Sequence, residues 1–173
     1  MRGTILAVLL GAAALNVQAA TLDAPNVVQV SPRLVTSGQP SAGTLADLKA
    51  QGFEAVIYLA PPTVHDAVRD EPEIVRRQGL VFINIPIRFD NPTTADFDAF
   101  ASALSGLRER KVLVHCQINL RASTMVFLYR AIVLKEDPRL AYELVEKVWS
   151  PTVAWRRLMD ELLAKHGIDF HPL

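Results

Sequence analysis

The one cysteine of the chain, Cys116, stands in the stretch Lys111-Val-Leu-Val-His-Cys-Gln-Ile-Asn-Leu-Arg-Ala-Ser-Thr124, with Arg121 five residues downstream. Strand, loop and helix follow one another here. Val112 to His115 is a short apolar strand, and a helix runs from about Ala122 through Leu134. Met125, Leu128, Tyr129 and Ile132 carry its buried face at helical spacing. The N-terminus of a helix leaves backbone N–H groups without intrahelical partners and carries partial positive charge. A loop wrapped into that end can aim several N–H groups at one anion. A cysteine placed there has its thiolate favoured, and such thiols fall from about 8.5 to between about 3.5 and 7.5. Arg121 adds a planar, permanently charged fork suited to an oxyanion. Nucleophile and anion clamp therefore occupy a single loop. The bland alternative is a buried structural cysteine before an ordinary helix.

Other elements must position that loop. Asn26 to Val30 and the segment around Leu34-Val35 read as first strands near a sheet edge, followed by the turn-rich link Thr36-Ser37-Gly38-Gln39-Pro40. Ser41 and Thr44 are candidate caps of a short helix that ends at Gly52. Glu54 to Leu59 is a strand, and a polar loop from Ala60 reaches Asp70. Glu71-Pro72-Glu73 opens a second helix, closed by Gly79. Leu80 to Ile87 is a strand, Arg88 to Pro92 a loop, and Thr93 or Thr94 caps a helix whose apolar set is Phe97, Phe100, Ala101, Leu104 and Leu107. Helices starting at Pro138 and Pro151 end the chain, with Trp149 and Trp155 packing them on the core. Strands and helices alternate three times. This predicts an α/β three-layer sandwich with a mostly parallel central sheet flanked by helices. Ligands in such folds bind beyond the carboxyl ends of the strands. Cys116, Asp90 and the loop from Ala60 to Asp70 all fall there.

Composition narrows the setting. Half of the 173 residues are hydrophobic, enough for one domain with a core, and 18 basic residues balance 18 acidic ones. Neither nucleic acid nor an anionic membrane is expected as a partner. Residues 1–20 read as a secretory signal peptide: Arg2 supplies a charge, Thr4 to Leu15 is apolar, and Val17-Gln18-Ala19 offers small residues for cleavage. Residues 21–173 would then form a single catalytic domain, periplasmic or secreted, with no membrane span after signal removal. An exported chain with one thiol has no internal disulfide partner, which leaves that thiol either reactive or buried and inert. No His/Cys/Asp cluster has metal-ligand spacing and no dinucleotide glycine pattern occurs, so neither metal nor cofactor is expected.

Three stretches carry a family resemblance: Ser37-Gly38-Gln39-Pro40, Leu48 to Leu59, and His115-Cys116-Gln117-Ile118-Asn119-Leu120-Arg121-Ala122-Ser123. The chain resembles the cysteine-dependent tyrosine and dual-specificity phosphatase superfamily. More closely, it resembles the bacterial phosphatase-like domain related to beta-lactamase-hydrolase-like proteins. The resemblance implies a tyrosine-phosphatase-like fold and hydrolysis of a phosphomonoester, on a phosphorylated small molecule or a phosphoprotein, through a cysteinyl-phosphate intermediate. It implies Cys116 as nucleophile, and Arg121 with the amides of Gln117, Ile118, Asn119 and Leu120 as the oxyanion cradle. His115 would orient the loop, Ser123 would steady the thiolate, and Asp90 would be the general acid, with Asp66, Asp70 and Asp96 as alternatives.

Four residues separate Cys116 from Arg121, one fewer than tyrosine phosphatases of this superfamily place there. The spacing, with Asn119 third after the cysteine, is similar to that of many rhodanese-type sulfurtransferase loops. Asn tolerates the left-handed conformation such a loop needs. A persulfide-carrying sulfurtransferase and a catalytically silent oxyanion-binding module therefore stand as alternatives.

Overall fold

The computed structural model describes residues 22–172. The signal-peptide reading of residues 1–20 lies outside them. The elements are β1 (Val28–Ser31), β2 (Leu34–Ser37), α1 (Ala42–Ala46), β3 (Ala55–Tyr58), α2 (Glu71–Arg77), β4 (Val81–Asn84), α3 (Thr94–Gly106), β5 (Val112–His115), α4 (Leu120–Ile132), α5 (Pro138–Glu146) and α6 (Val153–Lys165). The sheet order is β1-β2-β5-β3-β4. Among the described strands only the edge strand β1 runs antiparallel, against β2; the other strand pairings are parallel. β5 therefore lies in the middle, between β2 and β3, and delivers Cys116 to the centre of the sheet's carboxyl edge.

The pleat sends alternate side chains to opposite faces. Ala55 and Ile57 of β3 with Val112 and Val114 of β5 join the larger core, shared with α3 to α6. Val56 and Leu113 join a smaller core with Leu45, Leu48 and Val75 on the α1 and α2 side. Two cores on the two faces of one sheet make the three-layer sandwich. Each large side chain fully buried in them contributes on the order of 1.5–3 kcal/mol.

Local chemistry fixes the ends of the elements. Thr93 caps α3 in a reciprocal capping box with Asp96. Asp137 caps α5, which starts at Pro138. β4 stops at Asn84, short of the expected Ile87, because Pro86 has no N–H to give to a ladder. Ile85 and Ile87 still donate to the carbonyls of Tyr58 and Leu59, and this holds the following loop over the sheet's edge. Helix α4 begins two residues earlier than the spacing predicts, at Leu120. It is buried on nearly every side rather than on one face: Val126 and Phe127 are as covered as Met125 and Leu128. A helix wrapped by sheet and helices must be apolar all round.

Candidate active site

Cys116 leaves the end of β5 and the chain turns through Gln117, Ile118 and Asn119 before α4 starts. The turn requires Asn119 to adopt φ 72°, ψ 2°, the left-handed region. Asn119 pays part of that strain locally: its buried side-chain amide donates to the Asn26 carbonyl at 2.6 Å and to Thr36 Oγ1 at 3.0 Å. The end of β2 runs alongside. Gln39 N–H donates to the Gln117 carbonyl at 2.9 Å, Gly38 bridges Ile118, and Cys116 N–H donates to the Ser37 carbonyl at 3.3 Å. The approach is close enough to demand a glycine. A Cβ on Gly38 would sit 2.8 Å from the Gln117 carbonyl oxygen.

These contacts orient the loop's peptides. The carbonyl of Gln117 is taken by Gln39, that of Ile118 by the Asn26 side chain at 3.0 Å, and that of Asn119 by Ser123 N–H at 2.9 Å. In a trans peptide the N–H points away from the carbonyl. The amides of Ile118, Asn119 and Leu120 therefore turn to the opposite side. Among the described residues, no N–H from Gln117 to Arg121 has a hydrogen-bond acceptor.

Arg121, in the first turn of α4, is 5 % exposed. Its Nε donates to the Ile87 carbonyl at 3.0 Å and a terminal nitrogen to Gln117 Oε1 at 3.4 Å. Its guanidinium carbon lies 5.2 Å from the centre of the Phe89 ring. Phe89 is held in turn by Trp155, whose ring N–H donates to its carbonyl at 2.9 Å, and by the flanking Trp149. Among the described residues Arg121 forms no ion pair. Cys116 is fully covered by its surroundings, but it borders a cavity of about 330 Å³ shared with Gln117, Ile118, Leu120, Arg121, Phe89, His65 and Asp66.

His115 is buried behind the loop. Its Nε2 lies 2.6 Å from Glu71 Oε1, and its ring stacks on Tyr58 with centroids 4.7 Å apart. Burial, followed by the charges of Glu71, Asp66 and Cys116, pushes the Tyr58 phenol above its ordinary value against the opposing effect of Arg121. The phenol therefore stays protonated at neutral pH.

Two expected roles meet a different geometry. Asp90 does not line the cavity. Its side chain is 70 % exposed and forked onto Arg88 at 2.7 and 3.2 Å, and Arg88 holds its carboxyl below the usual carboxylate range. The loop Arg88–Pro92 turns Phe89, not Asp90, toward the site. The Ser123 hydroxyl donates to the Leu120 carbonyl at 3.2 Å, one helical turn back, which uses its only proton. Cys116, Gln117, Ile118, Leu120 and Arg121 border one cavity, while the Asn119 side chain is turned to Asn26 and Thr36. Asp66, from the loop after β3, is the carboxylate at the cavity. It accepts from Gln117 Nε2 at 2.8 Å. Glu71, Tyr58, Gln39 and Phe89 were not marked for the site by any spacing in the sequence, since they reach it from other strand ends.

Residues 16–152 match the family described as a DSP-PTPase phosphatase fused to NAD+ kinase. This chain belongs to that family. It is 31% identical over 126 residues to a beta-lactamase hydrolase-like protein of Xylella fastidiosa, a match covering 69% of the chain and 27% of the relative. The DSP-PTPase chain thus spans about a quarter of the length of the curated relatives it matches. Among solved structures it is similar to a DUF442 candidate phosphatase of Shewanella putrefaciens, with 31% identity and a TM-score of 0.76, covering 83% of this chain and 92% of the other. TpbA of P. aeruginosa shares the fold at 21% identity and a TM-score of 0.62, covering 83% and 91%. The α/β sandwich is that of the tyrosine phosphatases and its sheet is mostly parallel, both as expected.

Proposed function

We propose that the chain is an exported phosphomonoester hydrolase that works through a cysteinyl-phosphate intermediate. The observation that carries this reading is the meeting of Cys116, Arg121 and a run of unpartnered loop amides on one cavity. The Cys116 thiolate attacks phosphorus; an S–P bond forms as the O–P bond to the leaving group breaks. Arg121 and the amides from Gln117 to Arg121 hold the equatorial oxygens, where donors fixed in advance act most strongly. Asp66 gives its proton to the departing oxygen. Water then attacks the thiophosphate, Asp66 takes a proton from it, and inorganic phosphate leaves with the thiolate restored.

The substrate is a phosphorylated small molecule or a phosphoprotein. Residues 1–20 direct the chain to the periplasm or beyond, and N-terminal sequencing of the protein from a periplasmic fraction tests that directly. The catalytic reading is tested by hydrolysis of p-nitrophenyl phosphate: the wild type turns over and C116S does not. Sulfur transfer is the second reading, favoured by the four-residue spacing and the left-handed Asn119. Thiosulfate–cyanide transfer without phosphate hydrolysis would establish it in place of the first.

A further inference from the structure

We propose that Glu71 is a positioning residue that acts through His115: it anchors the imidazole and keeps the ring fixed behind the Cys116 loop. The proposal rests on the reading of Cys116 as a nucleophile.

Glu71 and His115 come from elements 44 positions apart and meet at 2.6 Å, with side chains 2% and 0% exposed. Both side chains are cut off from water, so each depends on its protein partners for hydrogen bonding. Gln39 ties the pair to the loop. Its side-chain amide donates to the second carboxylate oxygen of Glu71 at 2.8 Å, while its backbone N–H donates to the Gln117 carbonyl at 2.9 Å. Tyr58 lies against the imidazole at an interplanar angle of 19° and keeps it from tilting.

A purely structural role does not require this arrangement. Buried ion pairs stabilise folds weakly, and hydrophobic residues of similar volume often serve as well. The imidazole belongs to the chain neighbour of Cys116, and the carboxyl group that meets it is anchored behind it in α2. Glu71 of α2 and Tyr58 of β3 touch the His115 ring, and the charges of Asp66, Cys116 and Arg121 reach the Tyr58 side of that stack. Glu71 is the one in direct contact with its ring nitrogen.

The test compares wild type, E71Q, H115N and the E71Q/H115N double variant by pH profile, with thermal midpoints measured alongside. In E71Q the imidazole loses its carboxylate partner. The acidic limb of kcat/KM on p-nitrophenyl phosphate is expected to move to higher pH by roughly one unit, with kcat reduced about tenfold and KM little changed. Because Glu71 acts through His115, the double variant should match H115N alone rather than sum the two losses. Additive losses, or an unmoved limb in a folded E71Q, overturn the proposal. Should E71Q fail to fold, Q39L removes only the second tether and is expected to shift the limb the same way by less; no shift there overturns it equally. The ultraviolet absorbance of the thiolate, titrated against a C116S baseline, needs no substrate. A limb that moves in that titration, in a protein that hydrolyses no phosphomonoester, keeps the role of Glu71 and rejects the phosphatase reading.

Discussion

Gln117 donates its side-chain amide to Asp66 at 2.8 Å and accepts from Arg121 at 3.4 Å, so one glutamine joins the carboxylate of the β3 loop to the guanidinium of α4. A loop residue thereby sets the distance between the Arg121 guanidinium and the Asp66 carboxyl group.

This arrangement separates two aspartates. Loss of a general acid typically costs 10²–10⁴-fold in rate. D66N should lower kcat on p-nitrophenyl phosphate by about a hundredfold or more. D90N should stay within about twofold, because that carboxylate is committed to Arg88 in solvent and held in its ionised form. Steady-state kinetics of the two variants decides the assignment; an inactive D90N with an intact D66N would return the role to the loop before α3.

Gly38 tests the packing of β2 on the loop. An added methyl meets the Gln117 carbonyl and Pro25 Cβ, each at 2.8 Å, and a backbone oxygen has little room to yield. G38A should cost about 1–3 kcal/mol and lower the thermal midpoint by several degrees. It should also lower activity sharply, because misplacing reacting groups by about 1 Å can cost a hundredfold. G43A is the matched control: its new methyl would find only Ser41 Oγ at 3.8 Å, and in α1 it should be neutral or stabilising by up to about 1 kcal/mol.

Asn119 separates conformation from tethering. N119G accepts φ 72° freely but loses the bonds to Asn26 and Thr36; N119A loses both the bonds and the conformational tolerance. The alanine variant should be less stable than the glycine variant by about 1 kcal/mol, the order of the left-handed penalty. Urea unfolding of both measures the gap, and an alanine variant as stable as the glycine one would remove the strain argument.

Tyr58 gives a pH dependence with a definite sign. Its phenol ionises above its ordinary value in the folded chain and near about 10 in the unfolded one. Below that both states keep the proton and the group contributes nothing to the slope. Above it the unfolded chain releases the proton first, so stability falls as pH rises. Y58F lacks this term. The thermal midpoint of the wild type should drop relative to Y58F between about pH 9 and pH 11, while Tyr142, also raised by burial, stays in both proteins.

The sequence reading succeeded where information was local. Period, caps and breakers located the strands and helices, and the Cys116–Arg121 stretch announced its own loop. It failed where partners meet across the sheet. Asp90 stands on a loop before the Cys116 strand, where the resemblance implies the acid, but Arg88, two residues away, pairs with it, and Phe89 is the loop residue that faces inward. Glu71 read simply as an acid in a helix's first turn. Only the order β2-β5-β3 brings the loops after β2 and β3 to either side of Cys116, and that order depends on strand pairing that no short window of residues contains. Ser123 misled for a related reason. A hydroxyl in a first turn has a carbonyl of its own helix within reach, and here the nearer acceptor wins.

The anchoring of the Cys116 turn by Asn26 puts part of the machinery upstream of every strand. Asn26 both receives the Asn119 amide and grips the Ile118 carbonyl, and the Pro25 carbonyl takes the Gly38 N–H at 2.6 Å. Trimming the polypeptide to begin at Val28 would spare the eleven regular elements of the described residues, together with Cys116 and Arg121, yet it would cut the strap that keeps the turn curled. A chain that begins after Asn26 would therefore leave the Ile118 carbonyl and the Asn119 side-chain amide without the partner that fixes the turn.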